Sequence, residues 1–171
     1  MSIKEKNDKV IYDTAIAEGL TPLLSTFMVA QANHESAAYT SGVFSRCNNA
    51  YGYKYVGQEL AVACSKAPED ELNYAGYKNV SDSAKEVARW IKRRMSQFES
   101  VKTPEEYAIV LERNGYFGGN LSVYKRAMNQ FWYPIKGMAN TAFTKYPTET
   151  ILTGITFFTL LTYYIVQARK K

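Results

Sequence analysis

The sequence predicts a mainly helical domain with a small irregular lobe, followed by one C-terminal segment apolar enough to be a transmembrane helix. Three observations carry this. Two helical patterns fill residues 5–36, separated by Gly19 and the start signal Thr21-Pro22. Residues 37–80 lose that periodicity and are punctuated by Gly42, Asn48, Asn49, Gly52, Gly57, Pro68 and Gly76. Residues 151–166, ILTGITFFTLLTYYIV, carry no charge.

In the first helix, residues 5–18, Val10, Ile11, Ala15 and Ile16 recur at helical spacing, and Gly19 suits the position just past the end. Thr21 and Pro22 read as N-cap and first turn of a second helix, Pro22 to Ser36. Leu23, Leu24, Phe27, Met28 and Ala30 give it a broad apolar face, as in a central helix. In the lobe, YGYKYV and LNYAGYKNV alternate aromatic and other residues, which suggests a small hairpin. Ser81 reads as the N-cap of a helix continuing to Phe98. Thr103-Pro104-Glu105-Glu106 is a strong helix start, and Gly115 closes that helix. A last helix runs from Leu121 or Ser122 to Phe131, so the domain spans residues 1–133. Residues 134–148 read as a connector, 149–168 as the span and 169–171 as a basic tail.

With 171 residues, 46% of them hydrophobic, the chain can bury a real core and is not disordered. The net charge is +5, and residues 1–148 alone are near +3. No basic run is interleaved with aromatics, so a nucleic-acid partner is not expected. The single histidine, His34, and the absence of a CxxC motif argue against a metal site, and no cofactor is implied. Cys47 and Cys64, 17 apart, can be two free thiols or a disulfide. Fourteen tyrosines suit carbohydrate faces and membrane interfaces, and equally fill cores.

Glu35 ends the apolar second helix and is the sole acid between Glu18 and Glu59. A carboxyl there is partly desolvated, which raises its pKa and keeps a proton available near neutral pH. Glycosidic cleavage needs such a proton donor. A solvated glutamate, or one paired with Arg46, is the plainer alternative.

The stretch Ala30-Gln31, Glu35-Ser36 and then Asn48-Asn49-Ala50-Tyr51-Gly52-Tyr53-Lys54 resembles the signature of the glucosaminidase family, glycoside hydrolase family 73, with its AQ-x-x-x-ES helix end and N-N-[LA]-[FY]-G-x-K segment. NYAGYKNVSDSAKEVARWI and VKTPEEYAIVLERNGYFGGNLSVYKRAM resemble later elements, so the likeness covers roughly residues 20–131 in order. It implies a lysozyme-like fold and a peptidoglycan hydrolase acting on the β-1,4 GlcNAc–MurNAc backbone. Glu35 would be the general acid, and Tyr116 would line the cleft at the reaction centre. Gln31, Asn49, Tyr51, Gly52, Tyr77 and Phe117 would shape the substrate site, while Tyr124 would be more structural. The family's A-x-DP is here Phe117-Gly118-Gly119-Asn120, which lacks the aspartate and proline. A second acid would come from the lobe, with Glu69 or Glu71 preferred over Glu59 and Asp70. Without one, the substrate's N-acetyl group or the MurNAc 6-hydroxyl would act instead, the latter giving anhydro products as in lytic transglycosylases. A weakly active wall-binding structural protein of a virion, and a tail that itself disrupts membranes, are further readings. His34 reads as a packing or surface residue.

The uncharged run reaches nineteen residues from Thr150 to Ala168, close to the length a span needs. Tyr146, Tyr163, Tyr164 and the terminal Arg-Lys-Lys fit interface anchors, with the basic end towards the cytoplasm. A buried or partner-docking helix is the alternative. The N-terminus, MSIKEKNDKV, has no apolar signal core. The expectation is a bacteriophage enzyme for entry or lysis, held in a virion membrane or the host inner membrane, with peptidoglycan and lipid as partners and virion proteins as further ones.

Overall fold

The computed structural model describes residues 1–66 and 73–138. All that follows concerns the unit Met1–Gly137. The predicted span at 149–168, most of the connector, and Glu69 and Glu71 lie outside the described residues. Among the described residues no helix is long and apolar enough to cross a membrane.

Seven helices and a two-stranded sheet are described: α1 (Ile3–Ala17), α2 (Pro22–Glu35), α3 (Gly42–Cys47), β1 (Ala61–Lys66), β2 (Asn73–Tyr77), α4 (Val80–Lys92), α5 (Met95–Phe98), α6 (Pro104–Arg113) and α7 (Leu121–Ile135). The architecture is thus mainly helical with a small lobe between α2 and α4. Helix α2 is the centre. It packs against α1 and α7, while α1 meets α4 and α6 meets α7. Every residue of α2 from Leu24 to Asn33 is buried, so it has no solvent face until its last turn. Burying side chains such as Phe27, Met28 and Val29 contributes about 1.5–3 kcal/mol each. The Phe27 ring lies 5.6 Å from both Tyr107 and Trp132, and Trp132 Nε1 donates to Thr26 Oγ1 at 2.9 Å.

The start signals act as predicted at α2 and α6. Thr21 Oγ1 accepts from Leu24 N, and Thr103 with Glu106 closes a reciprocal capping box. Ser2 and Glu5 form a second such box at α1. Other boundaries moved. The cap of α4 is Asn79, whose Oδ1 accepts from Asp82 N, in place of Ser81. The helix predicted to run unbroken to Phe98 stops at Lys92. Arg94 lays its guanidinium 4.2 Å from the centre of the Trp90 ring, and its Nη1 donates to the Trp90 carbonyl. Its own backbone N–H bonds the Ile91 carbonyl, three residues back, which turns the chain. The short α5 then delivers Phe98 into the core beside Tyr107. Helix α7 continues past Phe131 to Ile135.

The hairpin exists, but its first strand is not YGYKYV. Strand β1, AVACSK, pairs antiparallel with β2 in the register Ala61↔Tyr77, Val62↔Gly76 and Ala63↔Ala75. Among the described residues, the backbone of the aromatic segment pairs with β2 through one bridge, Lys54↔Tyr74. Gly52 and Gly57, at φ +66° and +86°, bend it at both sides. Cys47 and Cys64 form a disulfide with Cα atoms 5.9 Å apart, fastening α3 to β1. Gly76 makes room for it: a Cβ there would stand 2.7 Å from Cys64 Cβ. Ala61, Ala75 and Tyr77, with Tyr53, Tyr55 and Leu60 packed on them, form the lobe's own core.

Candidate active site

Glu35 is the last residue of α2, half-buried, where the helix leaves the core. Burial raises its carboxyl above the usual carboxylate range, and a hydrogen bond from Tyr124 opposes part of that. The negative end of the helix dipole adds to the upward push. Tyr124 Oη donates to Glu35 Oε1 at 2.7 Å. The other oxygen, Oε2, faces Gly52, where an added Cβ would lie 3.6 Å away. The acid is thus gripped on one oxygen and bordered by bare backbone on the other, an arrangement suited to delivering a proton from Oε2.

An unusual turn fixes the end of α2. Ala37, Ala38 and Tyr39 follow one another at φ 51°, 53° and 68°, the left-handed region that side chains disfavour. Ser36 Oγ donates to Ala32 O at 2.6 Å and accepts from Tyr39 N at 2.8 Å. Behind the turn, buried Asp8 of α1 accepts from Asn33 Nδ2 and Tyr39 Oη, both at 2.6 Å. The chain therefore doubles back sharply after Glu35.

Tyr116 stands beside Glu35, whose charge helps raise the phenol's pKa, after burial and Tyr53. Its Oη donates to the Tyr51 carbonyl at 3.1 Å, and its ring lies 5.4 Å from Tyr53 and 5.6 Å from Trp90. It forms one wall. Phe117, half-exposed, stacks on Tyr124 with centroids 3.9 Å apart and planes 5° from parallel. Tyr124 is 6% exposed beneath it, so Phe117 is the ring of the pair left partly open.

Several residues expected to bind substrate are in the interior. Gln31 is fully buried and accepts from Tyr107 Oη at 2.7 Å. Asn49 is 1% exposed, and its side chain organises the loop. Its Nδ2 donates to the carbonyls of Tyr53 and Ala75, and its Oδ1 accepts from the amides of Tyr51 and Tyr53. Tyr51 is buried, with its hydroxyl donating to the Met28 carbonyl at 3.3 Å. Tyr77 belongs to the lobe core. A short polar or aromatic motif looks the same in sequence whether it meets ligand or closes a loop, and here the loop uses it. Tyr124, expected to be structural, is in contact with the acid. Its spacing in an amphipathic helix gave no sign of that. His34 packs edge-on against Tyr124 at 4.8 Å, and burial lowers its pKa.

Among the described residues, no second carboxylate shifts Glu35. Glu59 points to solvent and pairs with Arg89 at 3.5 Å. Glu86 of α4, which no motif marks, faces the lobe closely enough to raise the pKa of Tyr53 and Tyr77.

The glucosaminidase family model, described as mannosyl-glycoprotein endo-beta-N-acetylglucosaminidase, matches residues 12–151. The fold is similar to the catalytic domain of the autolysin Auto from Listeria monocytogenes, with a TM-score of 0.51 at 19% identity over 75% of this chain and 79% of that one. No curated protein sequence matches. A family match over most of the chain means that the chain belongs to the glucosaminidase family and is a glycosidase.

Proposed function

We propose that the protein hydrolyses the β-1,4 glycan backbone of bacterial peptidoglycan between GlcNAc and MurNAc, with Glu35 as general acid. The observation that carries this is the state of Glu35 in a chain of this family: half-buried, raised in pKa, and, among the described residues, hydrogen-bonded on Oε1 alone. Its proton goes to the leaving glycosidic oxygen as the C–O bond breaks and positive charge develops on the sugar. The likeness to an autolysin domain supports the choice of cell wall as substrate.

Completion of the reaction has two routes. A lobe carboxylate from Glu69 or Glu71, or the substrate's N-acetyl group, would lead to a hydrolysed product. Attack by the MurNAc 6-hydroxyl would give an anhydro product. Mass spectrometry of digested walls separates them, since one product is reducing and the other anhydro. Glu35→Gln is expected to abolish turbidity loss while the protein stays folded. Activity of the native enzyme should fall as pH rises through a value above the usual carboxylate range, because the acid must hold its proton. Full activity of Glu35→Gln refutes the assignment. Wall binding without any cleavage by the native chain favours a structural role.

The uncharged residues 151–166 support a membrane anchor at 149–168, holding the enzyme at a virion or inner membrane while it acts on the wall. The pairing of a wall-cleaving domain with such a segment supports a phage role in entry or lysis, with virion proteins as neighbours. Release of the full-length protein from membranes by carbonate sinks the anchor.

A further inference from the structure

The basic run Lys92-Arg93-Arg94 closes α4 and takes no part in the proton transfer. Arg89, Lys92 and Arg93 share one face of the helix, since residues three and four apart are neighbours there. With Glu18 at the end of α1 they line an open hollow of about 420 Å³. Lys92 Nζ donates to the Glu18 carbonyl at 3.1 Å, where a cation suits the carbonyls of a helix end. Gly19 follows at φ +92°, and a Cβ there would stand 3.7 Å from that ammonium, so the missing side chain leaves Nζ uncovered on that side. Arg89 is held loosely between two carboxylates. Its Nε lies 3.4 Å from Glu18 Oε2, and its Nη1 lies 3.5 Å from Glu59 Oε2 of the lobe. The Glu59 side chain is 84% exposed, and an ion pair so open to water is weak enough to exchange for another carboxylate. Arg93 is exposed and makes no ion pair with a described residue. Three cations thus face two carboxylates, and the hollow keeps a positive excess.

The position of the hollow decides what reaches it. Trp90, between Arg89 and Lys92 in sequence, stands 5.6 Å from Tyr116, the ring that forms one wall of the candidate site. Arg93 lies about 60° round α4 from Trp90. Glu59 brings the lobe to the rim. One flank of α4 therefore backs the cleft wall and the next faces the hollow. We propose that this hollow is a subsite for the free carboxylates of the wall's stem peptides, bound by Arg93 and Lys92, with Arg89 joining them as a substrate carboxylate replaces Glu59. The glycan strand of peptidoglycan is close to neutral, and its free carboxylates are carried by the peptides that hang from MurNAc. A cationic hollow on the flank of the cleft wall is placed to meet those peptides while the strand lies against Glu35. Guanidinium groups suit this ligand, because their planar fork matches a carboxylate with two parallel hydrogen bonds. The subsite rests on peptidoglycan being the substrate, as proposed above.

The test compares native walls with walls whose free carboxylates have been coupled to ethanolamine by a carbodiimide, using the full-length protein. On native walls Arg93→Glu should raise the apparent KM about fivefold with kcat unchanged. Raising salt from about 50 to about 500 mM should erase most of that difference. On amidated walls the variant and the unmutated protein should match. Lys6→Glu makes the same charge change on an exposed lysine near the start of α1 and should behave as the unmutated protein on both substrates. Lys92→Glu should follow Arg93→Glu and takes its place if that variant does not fold. A rise in KM that persists on amidated walls overturns the proposal, since the hollow would then serve the wall's phosphate groups. No rise on either substrate overturns it as well. Binding is read apart from cleavage: adding Arg93→Glu to Glu35→Gln should weaken cosedimentation with native walls about fivefold and leave that with amidated walls unchanged. A protein that binds in this way but cleaves no wall refutes the proposed function and leaves the subsite standing.

Discussion

Replacing Asp8 by alanine removes the acceptor around which the end of α2 is organised. Asp8 is 5% exposed. It receives hydrogen bonds from Asn33 and Tyr39 at 2.6 Å each, and an ion pair from the more exposed Lys4. Hydrogen bonds to a charged group contribute about 1.5–3 kcal/mol each, so the two buried ones hold about 3–6 kcal/mol. The Lys4 pair, open to solvent on one side, adds up to about 1 kcal/mol. What they hold is the turn Ala37-Ala38-Tyr39, all at positive φ. At about 1–2 kcal/mol per left-handed residue, the turn costs about 3–6 kcal/mol. The two magnitudes match, so network and turn should be lost together. Asp8→Ala is expected to remove about 3–5 kcal/mol of the 5–15 typical of a domain. Urea unfolding read by the fluorescence of Trp90 and Trp132 measures it, as a midpoint lowered by about 2 M. Tyr39→Phe keeps the ring that packs 5.2 Å from Phe44 and should cost less, about 1–3 kcal/mol. A loss below about 1 kcal/mol for Asp8→Ala at unchanged slope would show that the turn holds itself, and the clamp argument would be wrong.

Two further outcomes follow from single atoms. Gly52→Ala places a methyl at positive φ and 3.6 Å from Glu35 Oε2. It should cost about 1–2 kcal/mol of stability, yet lower the rate of wall cleavage by a larger factor, and equal losses in the two measurements would deny Gly52 its place beside the reactive oxygen. Replacing both Cys47 and Cys64 by serine opens a cross-link across 17 positions. The expected loss is about 3 kcal/mol, read as a lower Tm that reductant reproduces in the native chain and leaves unchanged in the variant.

Most of the helical frame was legible in the sequence, and for local reasons. Thr21-Pro22 and Thr103-Pro104-Glu105-Glu106 satisfy their own helix starts, so their neighbours in sequence suffice to read them. The break after Lys92 was not legible, because an arginine stacking back on Trp90 leaves the apolar period intact. Nor was the strand pairing: β1 carries no aromatic alternation, and its place depends on Gly76 admitting the disulfide across the sheet.

The sequence by itself determined that Glu35 ends a buried helix and that the surrounding motifs resemble those of the glucosaminidases. A lone acid in a long apolar pattern is visible in one dimension, and desolvation follows from that pattern. Only the tertiary structure decided what touches it. Tyr124 comes from 89 residues away to hold Oε1, and Gly52 approaches Oε2 because Asn49 ties its loop. Gln31, Asn49 and Tyr51 have the side chains of ligand-binding residues, but the interior claims their hydrogen bonds. Which partner a polar group finds depends on how distant segments pack, and burial forces that choice without leaving a mark in the local sequence.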